Sequence, residues 1–103
     1  MNHQDCIDIC HRCAADCYHC LSEMAGMESP NECPKCCIDC STLCQTAAAL
    51  MAAGSPYVKE ICRLCAEACE RCAAACAEHD HEHCRRCAES SRRCAEACRS
   101  MAA

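Results

Sequence analysis

Residues 61–84 read ICRLCAEACERCAAACAEHDHEHC, and five cysteines in this stretch follow one another at intervals of three and four residues. They are Cys62, Cys65, Cys69, Cys72 and Cys76. Side chains at these intervals lie on one face of an α-helix. A helix of a globular protein normally places Leu, Ile and Val on the face that it buries. The stretch therefore predicts a helix whose buried face consists of thiols.

Three further segments repeat this pattern, and turn residues separate them. GMESP at residues 26–30 and GSP at residues 54–56 each combine a glycine that ends one helix with a serine and a proline that start the next. Asp80 is a candidate N-cap of the last helix. We therefore expect an all-α protein, a single domain over residues 1–103, that folds as an up-down-up-down four-helix bundle with a Cys-lined core. Its predicted helices span roughly 3–25, 31–53, 56–79 and 81–101.

The predicted inward faces of the four helices contain eighteen of the nineteen cysteines. These candidate metal ligands are Cys6, Cys10, Cys13, Cys17, Cys20, Cys33, Cys37, Cys40, Cys44, Cys62, Cys65, Cys69, Cys72, Cys76, Cys84, Cys87, Cys94 and Cys98. Cys36 lies beside the inward face of the second helix and is a further candidate. Ser91 interrupts the row of thiols on the fourth helix, and we expect it to leave a gap in a metal column.

The composition leaves little else to fill the interior. Among 103 residues there are 19 Cys and 19 Ala but only nine Leu, Ile and Val, and neither Phe nor Trp occurs. Nine aliphatic side chains are too few for a core at ordinary packing density. The sulfur atoms and whatever they bind must therefore occupy the interior.

The state of the thiols depends on the compartment. The first ten residues, MNHQDCIDIC, contain no basic or apolar export signal, and no stretch is long enough to span a membrane. We therefore expect a cytoplasmic protein, in which many reduced thiols indicate metal binding rather than disulfides. The net charge of −5 argues against nucleic acid as a partner.

Monovalent copper suits a continuous row of thiols better than other metals do. Thiolates select Cu(I), and each Cu⁺ that replaces a thiol proton leaves the charge of the core unchanged. Zinc held by four thiolates has two net negative charges, which are costly to bury repeatedly, and an iron–sulfur cluster needs four cysteines around one inorganic core. A zinc or iron–sulfur protein is one alternative. A redox enzyme is another, using the CxxC sequences at residues 62–65 and 69–72, although a redox CxxC normally has an accessible thiol at a helix N-terminus.

Three segments resemble the cytosolic members of the copper storage protein family: SPYVKEICRLCAEACERC at 55–72, EHDHEHC at 78–84 and CAEACRSMAA at 94–103. The resemblance covers essentially the whole chain. It implies a homotetramer of four-helix bundles, each of which binds many Cu(I) ions inside, and a storage role rather than an enzymatic one. A copper chaperone is a candidate partner. At about one ion per thiol, the capacity would be on the order of 15–20 ions per chain.

Histidine and methionine replace cysteine where the predicted faces end. One end of the bundle gathers His3, Met51 and Met101, and the other gathers Met24, Met27, His79, His81 and His83. Thioether and imidazole groups bind Cu(I) more weakly than thiolates do, so such residues could pass ions inward. We expect the copper entrance at the second end, through Met24, Met27, His79 and His83, with His81 and His83 in the loop or off the inward face.

Overall fold

The computed structural model describes residues 3–26 and 32–103. Within these residues the chain forms four helices and no strand, as the sequence predicts. They are α1 (His3–Glu23), α2 (Cys33–Ala52), α3 (Val58–Ala77) and α4 (Glu82–Ala102). Each helix end lies within two residues of its predicted position. Met27 and the predicted start signal at residues 29–30 lie outside the described residues.

The four helices form a closed ring. α1 packs against α2 and α4, and α3 packs against the same two helices. Cys10 lies against Cys98 and Cys20 lies against Cys84, so α1 and α4 run in opposite directions. The bundle measures 40 × 19 × 18 Å. No helix among the described residues combines the length and the apolar character that crossing a bilayer requires.

Gly54 ends α2 in the way its position predicts. Its φ of +65° is a left-handed conformation that glycine adopts without strain. The Gly54 N–H donates to the carbonyl of Met51 at 3.2 Å, and the Ser55 N–H donates to the carbonyl of Leu50 at 3.0 Å. These two bonds form a Schellman motif, which satisfies carbonyls that the helix end leaves free. The chain can therefore reverse direction into α3 within a few residues.

The predicted caps of α3 and α4 were wrong. Ser55 accepts a hydrogen bond from the N–H of Tyr57, but Tyr57 itself is the N-cap and α3 begins two residues later than predicted. His81 is the N-cap of α4, and the Asp80 carboxylate instead pairs with Arg85 at 2.7 Å. Neither N-cap side chain bonds to the helix. These helices are therefore held by their packing in the bundle rather than by side-chain caps.

Cysteine and alanine form the core. The thiols occupy the axis of the bundle, and small residues such as Ala14, Ala48, Ala66 and Ala88 are buried beside them. The separation of two packed helices depends on the side chains at their contact. Alanine at these positions keeps the helices close, so thiols from opposite helices can touch.

Candidate metal centre

The interior of the bundle is a continuous column of sulfur. All eighteen cysteines of the predicted inward faces are outside any disulfide and have no exposed surface. Their Sγ atoms contact one another across helices: Cys40 and Cys69 are 3.4 Å apart, and Cys44 and Cys94 are 3.6 Å apart. Relaxed disulfides have S–S distances of about 2.05 Å. The column is therefore a set of separate thiols within reach of shared metal ions.

Several groups of four thiols lie close enough to hold one ion, because all four Sγ atoms fall within 4.8 Å of one another. Five of these groups are Cys10, Cys65, Cys94 and Cys98; Cys13, Cys40, Cys44 and Cys69; Cys17, Cys37, Cys72 and Cys87; Cys20, Cys37, Cys76 and Cys87; and Cys44, Cys65, Cys69 and Cys94. Neighbouring groups share members, such as Cys37 and Cys87. A shared thiolate must bridge two ions, so this arrangement suits a chain of linked metal sites rather than isolated four-thiolate sites.

Ser91 stands in the column in place of a nineteenth inward thiol. It has no exposed surface, and its Oγ lies 3.7 Å from Sγ of Cys13 and 3.8 Å from Sγ of Cys40. A hydroxyl is a poor ligand for a soft ion. This geometry fits the predicted gap in the metal column, because a hydroxyl rather than a thiol lies beside Cys13 and Cys40.

Burial favours the neutral form of two thiols, Cys62 and Cys84, near opposite ends of the column. Burial, followed by the neighbouring thiols Cys10 and Cys65, raises the pKa of Cys62 to about 11. Burial and the neighbouring Cys20 raise the pKa of Cys84 to about 12. A metal ion that binds these groups must therefore displace their protons.

Two histidines reach the column at the end where α1 finishes and α4 begins. Nδ1 of His83 is 3.4 Å from Sγ of both Cys20 and Cys84, and Nδ1 of His79 is 3.6 Å from Sγ of Cys84. His83 was expected in the loop or off the inward face, but it lies in α4 and its ring contacts both thiols. It precedes Cys84 in the first turn of α4, where no further helical turn blocks its ring from the axis.

The remaining residues of this end differ in burial. Met24 is buried, whereas His81 is exposed and stacks on His83 with ring centroids 5.3 Å apart. His19 from α1 approaches the same His83 ring edge-on at 6.4 Å. Sequence reasoning did not include His19, because it lies outside the inward face of α1. Four imidazoles therefore gather around one end of the column.

The opposite end is mostly thioether. Met51 is buried and Met101 is half-buried, while His3 is exposed. Val58 closes this end from α3. No contact between His3 and a thiol is present among the described residues. The two ends of the bundle therefore differ in chemistry, with imidazole–thiol contacts at one of them.

Cys36 stands apart from the column, as its position beside the inward face predicts. It lines a surface groove between α2 and α3 together with Glu32 and Arg71, which form an ion pair at 3.1 Å. Burial raises the pKa of its thiol. The CxxC cysteines at 62–65 and 69–72 are completely buried within α3, so a redox partner has no access to them.

No pattern in the sequence predicts the buried carboxylate that lies between α1 and α4. Asp16 is only 4% exposed and accepts a hydrogen bond from the hydroxyl of Ser90. The guanidinium groups of Arg12 and Arg86 lie 3.8 Å and 3.7 Å from its Oδ1. A buried charge is tolerated where hydrogen bonds and opposite charges surround it. Asp16 therefore joins two helices on the outside of the thiol column.

Comparisons with known proteins place this architecture in a family. The whole chain, residues 1–103, matches the family model described as copper storage protein. The uncharacterized cysteine-rich protein YhjQ of Bacillus subtilis (strain 168) is 42% identical over 101 residues, which are 95% of this chain and 94% of that protein. The Cu(I)-bound copper storage protein BsCsp3 is 40% identical, with a TM-score of 0.92 and 97% of both chains covered. A cytosolic copper storage protein from Streptomyces lividans, solved with five coppers, is 32% identical, with a TM-score of 0.88 over 97% of this chain and 91% of its own. This chain therefore belongs to the copper storage protein family.

Proposed function

We propose that this protein is a cytosolic store and buffer of Cu(I), which binds many ions through cysteine thiolates inside the bundle. The observation that carries the proposal is the column of eighteen fully buried thiols, none of them in a disulfide, whose neighbouring groups share members. The ligands are these eighteen cysteines, and Cys36 is a peripheral addition. The bundle forms one domain over residues 1–103 and has a storage role rather than an enzymatic one.

The charge of the core distinguishes Cu(I) from divalent metals. Each Cu⁺ replaces one thiol proton, so the column stays neutral as it fills. Each Zn²⁺ bound by four thiolates would add two negative charges to a core that has no exposed sulfur. Bridging thiolates, which the shared groups require, also suit a soft ion with a low coordination number.

Anaerobic titration of the reduced protein with Cu(I), in the presence of a chromophoric chelator that competes for the ion, tests this function. We expect on the order of 15–20 tightly bound ions per chain. Cys40→Ala removes a thiol that contacts Cys13, Cys69 and Ser91, whereas Cys36→Ala removes one outside the column. Cys40→Ala should lower the capacity more than its matched control Cys36→Ala. A plateau at one or two ions would exclude storage.

The copper entrance is at the imidazole end of the column, through Met24, Met27, His79 and His83. The contacts of His79 and His83 with Cys20 and Cys84 support this choice, because an ion bound by an imidazole there is already beside a thiol. Replacing all four residues with alanine should slow Cu(I) uptake, and removal by a chelator, several-fold in stopped-flow measurements. The capacity should fall by no more than a few ions.

The opposite end provides the control for the entrance. Replacing His3, Met51 and Met101 with alanine removes two methionines and one histidine, against two of each in the first variant. It leaves the imidazole–thiol contacts in place. This variant should load at the rate of the unchanged protein. If the first variant loads normally and the second loads slowly, the entrance lies at the opposite end.

The assembly and its copper donor belong to the same proposal. The bundles associate as a homotetramer, and a copper chaperone delivers the ions. Ile38 and Leu64 support association, because both expose large apolar side chains and Leu64 lines a groove between α2 and α3. The Streptomyces lividans relative is described as cytosolic, which supports the same location here. Analytical ultracentrifugation should give four chains per particle, and a monomer would contradict the tetramer.

A further inference from the structure

A groove lies between α1 and α4 on the outside of the thiol column. Its volume is about 380 Å³. One water molecule takes about 30 Å³ of liquid volume, so a small anion fits in the groove together with some of its water. Three cationic and two anionic side chains line this groove, although the chain as a whole has a net charge of −5. The lining residues are Arg12 and Asp16 from α1 and Arg86, Glu89, Ser90 and Arg93 from α4.

The buried carboxylate of Asp16 draws two of these cations together. Its Oδ1 lies 3.8 Å from Nη1 of Arg12 and 3.7 Å from Nε of Arg86, so guanidinium groups from two helices approach one oxygen atom. Both distances exceed the roughly 3.2 Å limit of an N–H···O hydrogen bond. Ser90 donates to the other carboxylate oxygen. Asp16 therefore attracts both guanidinium groups without accepting a hydrogen bond from these two nitrogens.

The N–H groups of the three arginines are not used within the protein. Within residues 3–26 and 32–103, the guanidinium groups of Arg12, Arg86 and Arg93 donate no hydrogen bond to another residue, and Arg93 is in no ion pair. All three side chains are exposed, so water satisfies these donors in the free protein. The groove thus offers three guanidinium groups whose donors are available to a ligand.

We propose that the groove between α1 and α4 binds one phosphate group through Arg12, Arg86 and Arg93. A guanidinium presents a planar fork of N–H groups that matches the oxygen atoms of phosphate, and charge-assisted bonds of this kind are stronger than neutral ones. Phosphate has oxygen atoms in several directions, so it can accept from both helices at once. A carboxylate has two oxygens in one plane and fits such an arrangement less well. The phosphate group belongs to inorganic phosphate or to a phosphate monoester.

The two acids of the groove oppose a bound anion to different extents. Asp16 is buried, and the charges of Arg12 and Arg86 face it. Glu89 is exposed and forms no ion pair with another described residue. Its charge therefore repels a phosphate in the groove without compensation from a nearby cation. Glu89→Gln should tighten phosphate binding, an effect that a purely structural role of the groove would not produce.

Isothermal titration calorimetry of the reduced, metal-free protein tests the site, with inorganic phosphate and glycerol phosphate as ligands in a phosphate-free buffer. Each chain should show one saturable site, and the tighter ligand identifies the source of the phosphate group. Arg93→Ala should weaken binding by at least about 10-fold, because it removes charge-assisted hydrogen bonds. Since Arg93 is in no ion pair, this variant leaves the surroundings of Asp16 unchanged. Arg12→Ala and Arg86→Ala should weaken binding to a similar extent.

Arg92→Ala is the matched control, because Arg92 lies on the same helix and does not line the groove. It removes the same charge and should bind phosphate within about two-fold of the unchanged protein. Arg93→Lys keeps the charge but loses the planar fork, so it should bind more weakly than the unchanged protein. Circular dichroism checks that every variant keeps its helices. The absence of saturable binding, equal losses in Arg92→Ala and Arg93→Ala, or acetate binding as tight as that of phosphate would each overturn the proposal.

This inference goes beyond copper storage and does not depend on it. The arginine variants retain every cysteine, so their Cu(I) capacity should equal that of the unchanged protein. Normal Cu(I) uptake without phosphate binding would refute the phosphate site alone. Phosphate binding with the expected arginine dependence, but with only one or two bound Cu(I) ions, would refute the storage function alone.

Discussion

Ser91 differs from cysteine by one atom, and that atom decides whether its position can hold copper. The side chain is completely buried, with Cys13 and Cys40 at 3.7 Å and 3.8 Å from its hydroxyl. Cys13 and Cys40 themselves touch at 3.6 Å, so a thiol at position 91 would complete a group of three. Sulfur and oxygen at the same place therefore predict different metal capacities.

Ser91→Cys should raise the capacity for Cu(I) by about one ion per chain, because it supplies a soft ligand beside two existing ones. The measurement is the end point of an anaerobic Cu(I) titration against a competing chelator. Ser91→Ala is the matched control and should barely change the end point. A substantial loss of capacity in Ser91→Ala would mean that the hydroxyl takes part in copper binding.

α1 and α4 show how two helices are joined outside the thiol column. Asp16 on α1 accepts a hydrogen bond from Ser90 on α4 and lies close to Arg86 of the same helix. The arginines are more than half exposed, so water screens their contribution. Outside the thiol column, the hydrogen bond from Ser90 to the buried Asp16 carboxylate is therefore the main polar contact between α1 and α4 among the described residues.

Asp16→Ala should lower the free energy of unfolding of the reduced apo-protein by about 1–3 kcal/mol, since it leaves the Ser90 hydroxyl without its acceptor. Urea denaturation followed by circular dichroism measures the change. Asp8→Ala is the matched control on the same helix, because Asp8 is exposed and accepts a hydrogen bond from Gln4 within α1. The control should stay within about 0.5 kcal/mol. Equal effects of the two substitutions would contradict the role of Asp16.

The whole bundle needs a core that is stable before copper arrives. Alanine, glutamate and arginine favour helix, and neutral thiols can pack as small apolar groups. Reduced, metal-free protein should therefore already be mostly helical by circular dichroism. A chain that is unfolded until Cu(I) is added would show instead that the metal provides the folding energy.

The stability of the apo-protein should fall with alkaline pH. Burial raises the pKa of Cys62 to about 11 and that of Cys84 to about 12, whereas the unfolded chain releases these protons at lower pH. Below about pH 8 both thiols are protonated in the folded and in the unfolded state, so their contribution to the stability of the folded state is fully present. Above this the unfolded state holds fewer protons than the native state, so stability decreases until the native thiols ionise.

Denaturation curves of the reduced protein across this pH range measure the slope. Cys62→Ala should make the fall with pH shallower, because it removes one of the groups responsible, whatever it does to the stability at neutral pH. A stability that stays constant or increases between about pH 8 and about pH 11 would show that the buried thiols do not resist ionisation.

The sequence by itself determined the helices, the face that each one buries and the family to which the chain belongs. Spacings of three and four residues are a local property of the helix, so a row of cysteines at these intervals fixes one inward face without reference to the other helices. Gly54 likewise specifies its turn through its own backbone conformation. These predictions were confirmed, except that Ser55 and Asp80 are not the N-caps of α3 and α4. The identity of the individual metal ligands stays a prediction.

Only the tertiary structure decided which side chains meet across the bundle. The distances from Ser91 to Cys13, and from His83 to Cys20, depend on the relative height and rotation of separate helices. Packing sets these quantities after the helices have formed, and no spacing within one helix specifies them. Asp16 became buried for the same reason, because α4 covers it with Ser90 and Arg86. The periodicity of one helix fixes the direction in which a side chain points, whereas the packing of all four fixes what it reaches.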